Sequence, residues 1–158
     1  MKLSFIGKTS YLLFFLTFLA TIPLAKAQTR PAEHVVLISI DGFRPNFYLE
    51  EKWPAPNLQT MAKKGARSLG VTGVFPSVTY PSHTTVITGY PPAKHGIYYN
   101  APFEPEGQTG KWYWETELIQ VPTLWHAVRE AGLKSASFLW PVSVNAPIDY
   151  NIPEYWSL

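Results

Sequence analysis

Three apolar segments and three helical stretches organise this chain. Val35 to Ile40 is apolar at nearly every position, with Ser39 the one polar member. Unbroken runs of this length suit a parallel strand covered on both faces better than a half-exposed one. Ser68 to Phe75 is read as a second strand and Lys134 to Trp140 as a third. Between them lie helical patterns. Pro56 to Ala66 has a proline at a first-turn position, and Leu58, Met61 and Ala62 share a face. Pro81 to Thr88 is a short helix ended by Gly89 and by Pro91-Pro92. Pro122 to Leu133 carries the stripe Leu124, Trp125, Val128 and Ala131, and Gly132 stops it. Pro102 to Thr116 reads as a loop, and 141–158 as irregular and aromatic-rich. Strand and helix alternate, which predicts an α/β fold with a mainly parallel sheet and flanking helices.

The first residues belong to a different pattern. Lys2 and Lys8 precede a nearly all-apolar stretch from Tyr11 to Leu24, and Ala25-Lys26-Ala27 is a small-x-small cleavage signal. This predicts a secretory signal peptide over 1–27, cut after Ala27. A membrane anchor fits less well, because the run is short and Pro23 interrupts it. Cleavage changes the charge picture. It removes Lys2, Lys8 and Lys26 and no acid, so the formal net charge falls from +2 to −1 over the remaining 131 residues. No basic stripe is left, so neither nucleic acid nor an anionic membrane is expected as a partner. There is no cysteine, which excludes disulfides and a lipid-anchored lipoprotein. Location is therefore expected to be periplasmic or secreted, with no stable membrane anchor after cleavage.

Candidate chemistry sits where the apolar runs end. Asp41-Gly42 follows the first, and Phe75-Pro76-Ser77-Val78-Thr79 leads from the second into a helix. In parallel α/β sheets, ligands bind outside the carboxyl ends of strands. A helix start adds unpaired N–H groups and the positive end of the dipole, both suited to a phosphate. Taken singly, Asp41 is as well explained as a turn or cap residue, Thr79 as a strand-end β-branched residue, and Asn100 as a turn end.

Together, these positions resemble a known family. Asp41-Gly42, Thr79-Tyr80-Pro81-Ser82-His83, Thr88-Gly89 and His95-Gly96-Ile97-Tyr98-Tyr99-Asn100 are similar, in order and spacing, to the nucleotide pyrophosphatase/phosphodiesterase branch of the alkaline phosphatase superfamily. The resemblance runs from about His34 to the last residue. It implies an alkaline-phosphatase-like fold and metal-dependent hydrolysis of phosphodiester or pyrophosphate bonds in nucleotide-type small molecules. It implies that Asp41 binds a zinc ion, that Thr79 is the nucleophile and touches that zinc, that Asn100 donates a hydrogen bond to a phosphoryl oxygen, and that Tyr80 lines the substrate pocket. A threonine hydroxyl attacks poorly until a base or metal strips its proton, and zinc in contact would do this.

Two departures stand out. Ser82 replaces the usual asparagine, a mild change since serine also suits a helix start. The family builds a site for two zinc ions, and its remaining ligands are later aspartates and histidines. After Asn100 this chain has only Asp149 and His126, and no D-x-x-x-H or D-H pair anywhere. The sequence thus looks like the N-terminal part, 28–158, of a longer catalytic domain. The competing readings are a truncated fragment inactive in isolation, or a superfamily hydrolase of phosphomonoesters, sulfates or phosphonates. Neither His83 nor His95 is expected to bind a metal: His83, one helical turn after Thr79, satisfies backbone groups, and His95 precedes Gly96 in a turn. Trp112, Tyr113 and Trp114 read equally as a stacking surface for a base or as core plugs.

The leader yields the first testable expectation. Exported from a bacterial host, the mature protein begins at Gln28; N-terminal sequencing checks this, and an intact Met1 on the soluble protein would contradict it.

Overall fold

Residues 32–50, 52–107 and 110–155 are described by the computed structural model of the protein. The predicted signal peptide lies outside the described residues. Residues up to Ser39 form one unit and Ile40 to Leu158 a second. In the first, Val35, Val36 and Ile38 are mostly exposed, and 32–39 is not assigned to a strand.

The second unit carries the elements α1 (Asn46–Leu49), α2 (Pro56–Lys64), α3 (Thr79–Thr88), α4 (Pro92–His95), a 3-10 turn (Thr116–Leu118), α5 (Leu124–Glu130), β1 (Ala136–Phe138) and β2 (Tyr150–Ile152). The expected helices are all present, the second starting two residues early at Thr79. α1, α4, the 3-10 turn and β2 were not expected. The first two expected strands are corrected: neither 35–40 nor 68–75 is a strand, and Leu69, Val71 and Phe75 are each at least nine-tenths exposed. A parallel strand is stable only with neighbours to pair and layers to cover it, and the described residues offer these two runs neither. The third survives as β1, which pairs in parallel with β2 in the register Ala136–Tyr150, Ser137–Asn151 and Phe138–Ile152.

Local chemistry explains the well-formed elements. α3 ends at Gly89, whose left-handed backbone (φ 71°) lets its N–H close on the Thr85 carbonyl at 2.8 Å. α5 begins with a reciprocal cap: the His126 backbone N–H donates to the Thr123 carbonyl, and the Thr123 N–H donates to His126 Nδ1 at 3.2 Å. β2 is held beside β1 by Asp149. Its carboxylate accepts from Lys134 Nζ at 2.7 Å and from the Ser135 N–H at 2.9 Å.

Two apolar clusters flank α3. Tyr80, Ile97 and Val142 form one, with Trp112, Tyr113 and Ile119 against it. Ile87, Trp125 and Ile148 form the other, with Ile119, Trp140 and Ala146 against it. α3 supplies a residue to each, and Ile119 touches both. Val142 is a β-branched residue at φ 56°, a strained geometry kept by complete burial.

His95 closes α4 inside this core with no exposed surface. The Ile97 N–H donates to its Nδ1 at 3.1 Å, so Nδ1 is the bare nitrogen and Nε2 carries the proton toward Thr85 Oγ1 at 3.0 Å. Burial holds this imidazole below its ordinary pKa of 6.5, against smaller opposing effects of backbone hydrogen bonds. The site favours the neutral ring. Its contribution is therefore complete above the unfolded ring's pKa and is lost as pH falls through it, because the unfolded chain takes up the proton first. Urea unfolding followed between roughly pH 8 and pH 5 is expected to show falling midpoints, with a flatter profile in His95→Gln.

Candidate active site

The first turn of α3 defines the site. Val78 precedes it in extended geometry and supplies no side-chain cap. The first N–H groups of any helix have no partner within it, so this turn must be satisfied from outside. Asn100 does so: its Oδ1 accepts from the Tyr80 N–H at 3.0 Å. A backbone N–H can pair only with the amide oxygen, so the orientation of the Asn100 side chain is set by its partner. Its NH₂ group remains uncommitted among the described residues. The Asn100 carbonyl also accepts from the Tyr113 N–H at 3.2 Å, which ties the aromatic loop to the same place.

Thr79 is the first residue of α3 and is partly accessible. Its hydroxyl donates to Asp41 Oδ2 at 2.9 Å, across 38 residues of chain. Asp41 stands in a tight turn closed by the Phe43 N–H on the Ile40 carbonyl at 3.3 Å, with Gly42 at φ 65°. Glycine is suited to that turn because it carries no Cβ to clash. The structure thus brings Asp41, Thr79 and Asn100 to one end of α3. It does so without a sheet edge among the described residues, since neither apolar run leading to Asp41 or Thr79 is a strand.

Tyr80 is placed differently from an open pocket wall. It is 1% exposed, its ring meets Trp112 edge-on with centroids 5.4 Å apart, and its hydroxyl donates to Glu154 Oε2 at 2.6 Å. Burial, then the Glu154 hydrogen bond and charge, push the phenol far above its ordinary pKa of 10.0. His83, one turn on, donates from Nδ1 to the Thr79 carbonyl at 2.8 Å and meets Trp140 edge-on. It satisfies a backbone group, as its spacing suggests. Of the three loop aromatics, Trp112 and Tyr113 pack against the Tyr80 cluster. Beside Asn100 an open recess of about 210 Å³ is lined by residues including Tyr99, Glu104, Lys111 and Trp112. Glu104 and Lys111 form an ion pair there at 3.7 Å.

As metal ligands, Asp41 and Thr79 fit in kind: two accessible oxygen donors converge, and a carboxylate oxygen is a good zinc ligand. Among the described residues no group of three or more His, Cys, Asp or Glu side chains could hold a metal ion. Sequence reading missed Glu154, which lies 74 residues from Tyr80 with no local pattern to mark it, and the capping role of His126.

Helices and a small parallel sheet, with the fold of its structural neighbours, place the molecule in the alkaline-phosphatase-like α/β class. More narrowly, the chain belongs to the type I phosphodiesterase / nucleotide pyrophosphatase family, whose sequence profile matches residues 35–158. An uncharacterized pyrophosphatase/phosphodiesterase of Schizosaccharomyces pombe is 34% identical over 116 residues, covering 68% of this chain and 23% of its own length. Human ectonucleotide pyrophosphatase/phosphodiesterase family member 7 is 31% identical over 133 residues, 79% of this chain and 28% of that protein. Among solved structures, an inactive threonine-to-alanine variant of murine ectonucleotide pyrophosphatase / phosphodiesterase 5, in complex with AMP, superposes with a TM-score of 0.60 at 29% identity. It covers 74% of this chain and 33% of that one. The chain therefore spans between 23% and 33% of the length of these relatives.

The Asn100 cap can be checked without any assay of activity. Asn100→Ala is expected to cost about 1 kcal/mol of unfolding free energy, the value of a lost cap. Asn100→Asp should recover most of it, because a carboxylate still accepts from Tyr80 and sits well near a helix start. Equal midpoints for all three proteins in urea would contradict the cap.

Proposed function

We propose that the protein containing this chain hydrolyses phosphodiester or pyrophosphate bonds of nucleotide-type small molecules, with Thr79 as the covalent nucleophile. The observation that carries this is the 2.9 Å hydrogen bond from the accessible Thr79 hydroxyl to Asp41, at the first turn of a ten-residue helix. The family supports the reaction class. The murine relative, inactive as a threonine-to-alanine variant and holding AMP, supports both the nucleophile and a nucleotide ligand.

The chain's residues divide the work as follows. Asp41 orients the Thr79 hydroxyl and receives its proton. Thr79 Oγ1 forms a bond to phosphorus as the bond from phosphorus to the leaving oxygen breaks, and that oxygen is protonated by solvent. Asn100 donates from its NH₂ to a non-bridging oxygen, where a neutral donor stabilises developing charge without gripping the product. The Thr79 N–H, the first-turn donor with no recorded partner among the described residues, favours the same anion. Water then splits the phosphothreonine and returns the hydroxyl. Asp41 and Thr79 would hold one of the two zinc ions that the family resemblance implies; zinc there would lower the pKa of the hydroxyl and offset charge on the phosphoryl group. Tyr80 shapes the floor beneath Thr79 by its ring. Export to the periplasm or beyond agrees with the leader sequence and with the "ectonucleotide" and "venom" names of relatives.

In the full-length protein, Thr79→Ala is expected to abolish nearly all release of nitrophenol from a bis(nitrophenyl) phosphate, with circular dichroism unchanged. Asp41→Asn is expected to weaken zinc binding in a chelator competition and to lower activity with it. Asn100→Ala should reduce kcat by about 10²–10³, as for a single oxyanion donor. Full activity in Thr79→Ala would remove the nucleophile assignment.

A further inference from the structure

We infer that Glu154 is a positioning residue for this reaction, acting through Tyr80 to hold the Asn100 amide in its donating orientation. The inference rests on the roles proposed above for Thr79 and Asn100. It begins from a continuous set of contacts. Glu154 Oε2 accepts from the Tyr80 hydroxyl at 2.6 Å, and the Tyr80 N–H donates to Asn100 Oδ1 at 3.0 Å. The side chain of one residue thus ends on Glu154 while its backbone ends on Asn100.

The geometry makes this more than a packing contact. Tyr80 is the second residue of α3, directly after Thr79. Val78 supplies no side-chain cap, so the Tyr80 N–H is held by an outside group, Asn100, while the Ser82 N–H closes on the Val78 carbonyl. The ring is clamped at its sides by Ile97, Val142 and Trp112. Apolar walls resist tilting but leave sliding along the ring axis cheap, because dispersion contacts are non-directional and individually weak. The hydrogen bond to Glu154 fixes that coordinate at the far end. A shift there moves the Tyr80 N–H, and the Asn100 oxygen follows it. The NH₂ donors are on the same planar amide and turn with the oxygen. Glu154 itself stands two residues beyond β2 and reaches the start of α3 through this hydrogen bond. A buried tyrosine hydroxyl needs an acceptor. Among the described residues Glu154 is the acceptor recorded for Tyr80.

The test uses the full-length enzyme. Glu154→Ala is expected to lower kcat about three- to tenfold, in keeping with one lost hydrogen bond, with KM nearly unchanged. Glu154→Gln should restore kcat, because its amide oxygen still accepts from the phenol. In an Asn100→Ala background, Glu154→Ala should cause no further loss, whereas a merely structural role would lower kcat by the same factor in both backgrounds. Should Glu154→Ala fail to fold, Tyr80→Phe removes the same hydrogen bond and must show the same non-additivity with Asn100→Ala. Amide hydrogen exchange supplies a readout independent of turnover: the Tyr80 N–H should exchange faster in Glu154→Ala and at the wild-type rate in Glu154→Gln. Additive losses, or an unaffected Tyr80 amide, overturn the inference. If Thr79→Ala keeps its activity while the Tyr80 amide responds as stated, the nucleophile assignment fails and the anchoring of Tyr80 by Glu154 stands.

Discussion

The open first turn of α3 is the constraint around which the rest is arranged. A helix start exposes N–H groups that its own carbonyls cannot reach. Most helices quench them with a polar side chain just before the first turn. Here Val78 occupies that place and offers nothing. The Tyr80 donor is satisfied by Asn100, a residue from beyond α4, and the Thr79 hydroxyl meets Asp41 from well before α3. Pro81 has no N–H and the Ser82 N–H donates to the Val78 carbonyl, so the Thr79 N–H is the donor left at this turn among the described residues.

The packing serves that turn. α3 lies between the two apolar clusters, with Tyr80 at one end in the first and Ile87 near the other end in the second. Anchoring at both ends fixes the helix axis. His95 binds α4 to α3 through Thr85 from inside the core, and Gly96 carries the chain onward at φ 82°, packed so closely on Gln120 that a Cβ would lie 2.6 Å from its side chain. Four residues after Gly96 the chain reaches Asn100. The donor is therefore placed by a rigid path rather than by a loop free to wander.

The apolar segments at 35–40 and 69–75 show the other side of the same economy. Their composition is that of buried strands, and yet Val35, Leu69, Val71 and Phe75 are almost fully exposed. Parallel strands gain stability from neighbours on both edges and layers on both faces. The described residues build only the three-residue pair β1–β2. The chain spans between 23% and 33% of the length of the three relatives named above, and what is well packed in it is the helical layer around the α3 first turn.

Much of this was legible in the order of residues alone. The helices followed from apolar spacing and from local stop signals such as Gly89 and Gly132, because those interactions act within one or two turns. The motif order around Asp41, Thr79 and Asn100 marked the family, and Pro81 marked the helix, which starts two residues earlier at Thr79. What the sequence could not carry were relations between distant segments. It read 35–40 and 68–75 as strands because hydrophobicity records a wish for burial, whereas pairing depends on partners. It left 141–158 irregular, although Asp149 sets β2 beside β1, because a parallel partner is specified by contacts 14 and 15 residues away. It gave no sign that the fold turns the Tyr80 ring inward and gives its hydroxyl to Glu154. Residue type and spacing set which groups could do chemistry; only tertiary structure decided which of them meet, since a hydrogen bond across 74 residues leaves no periodic trace in the chain.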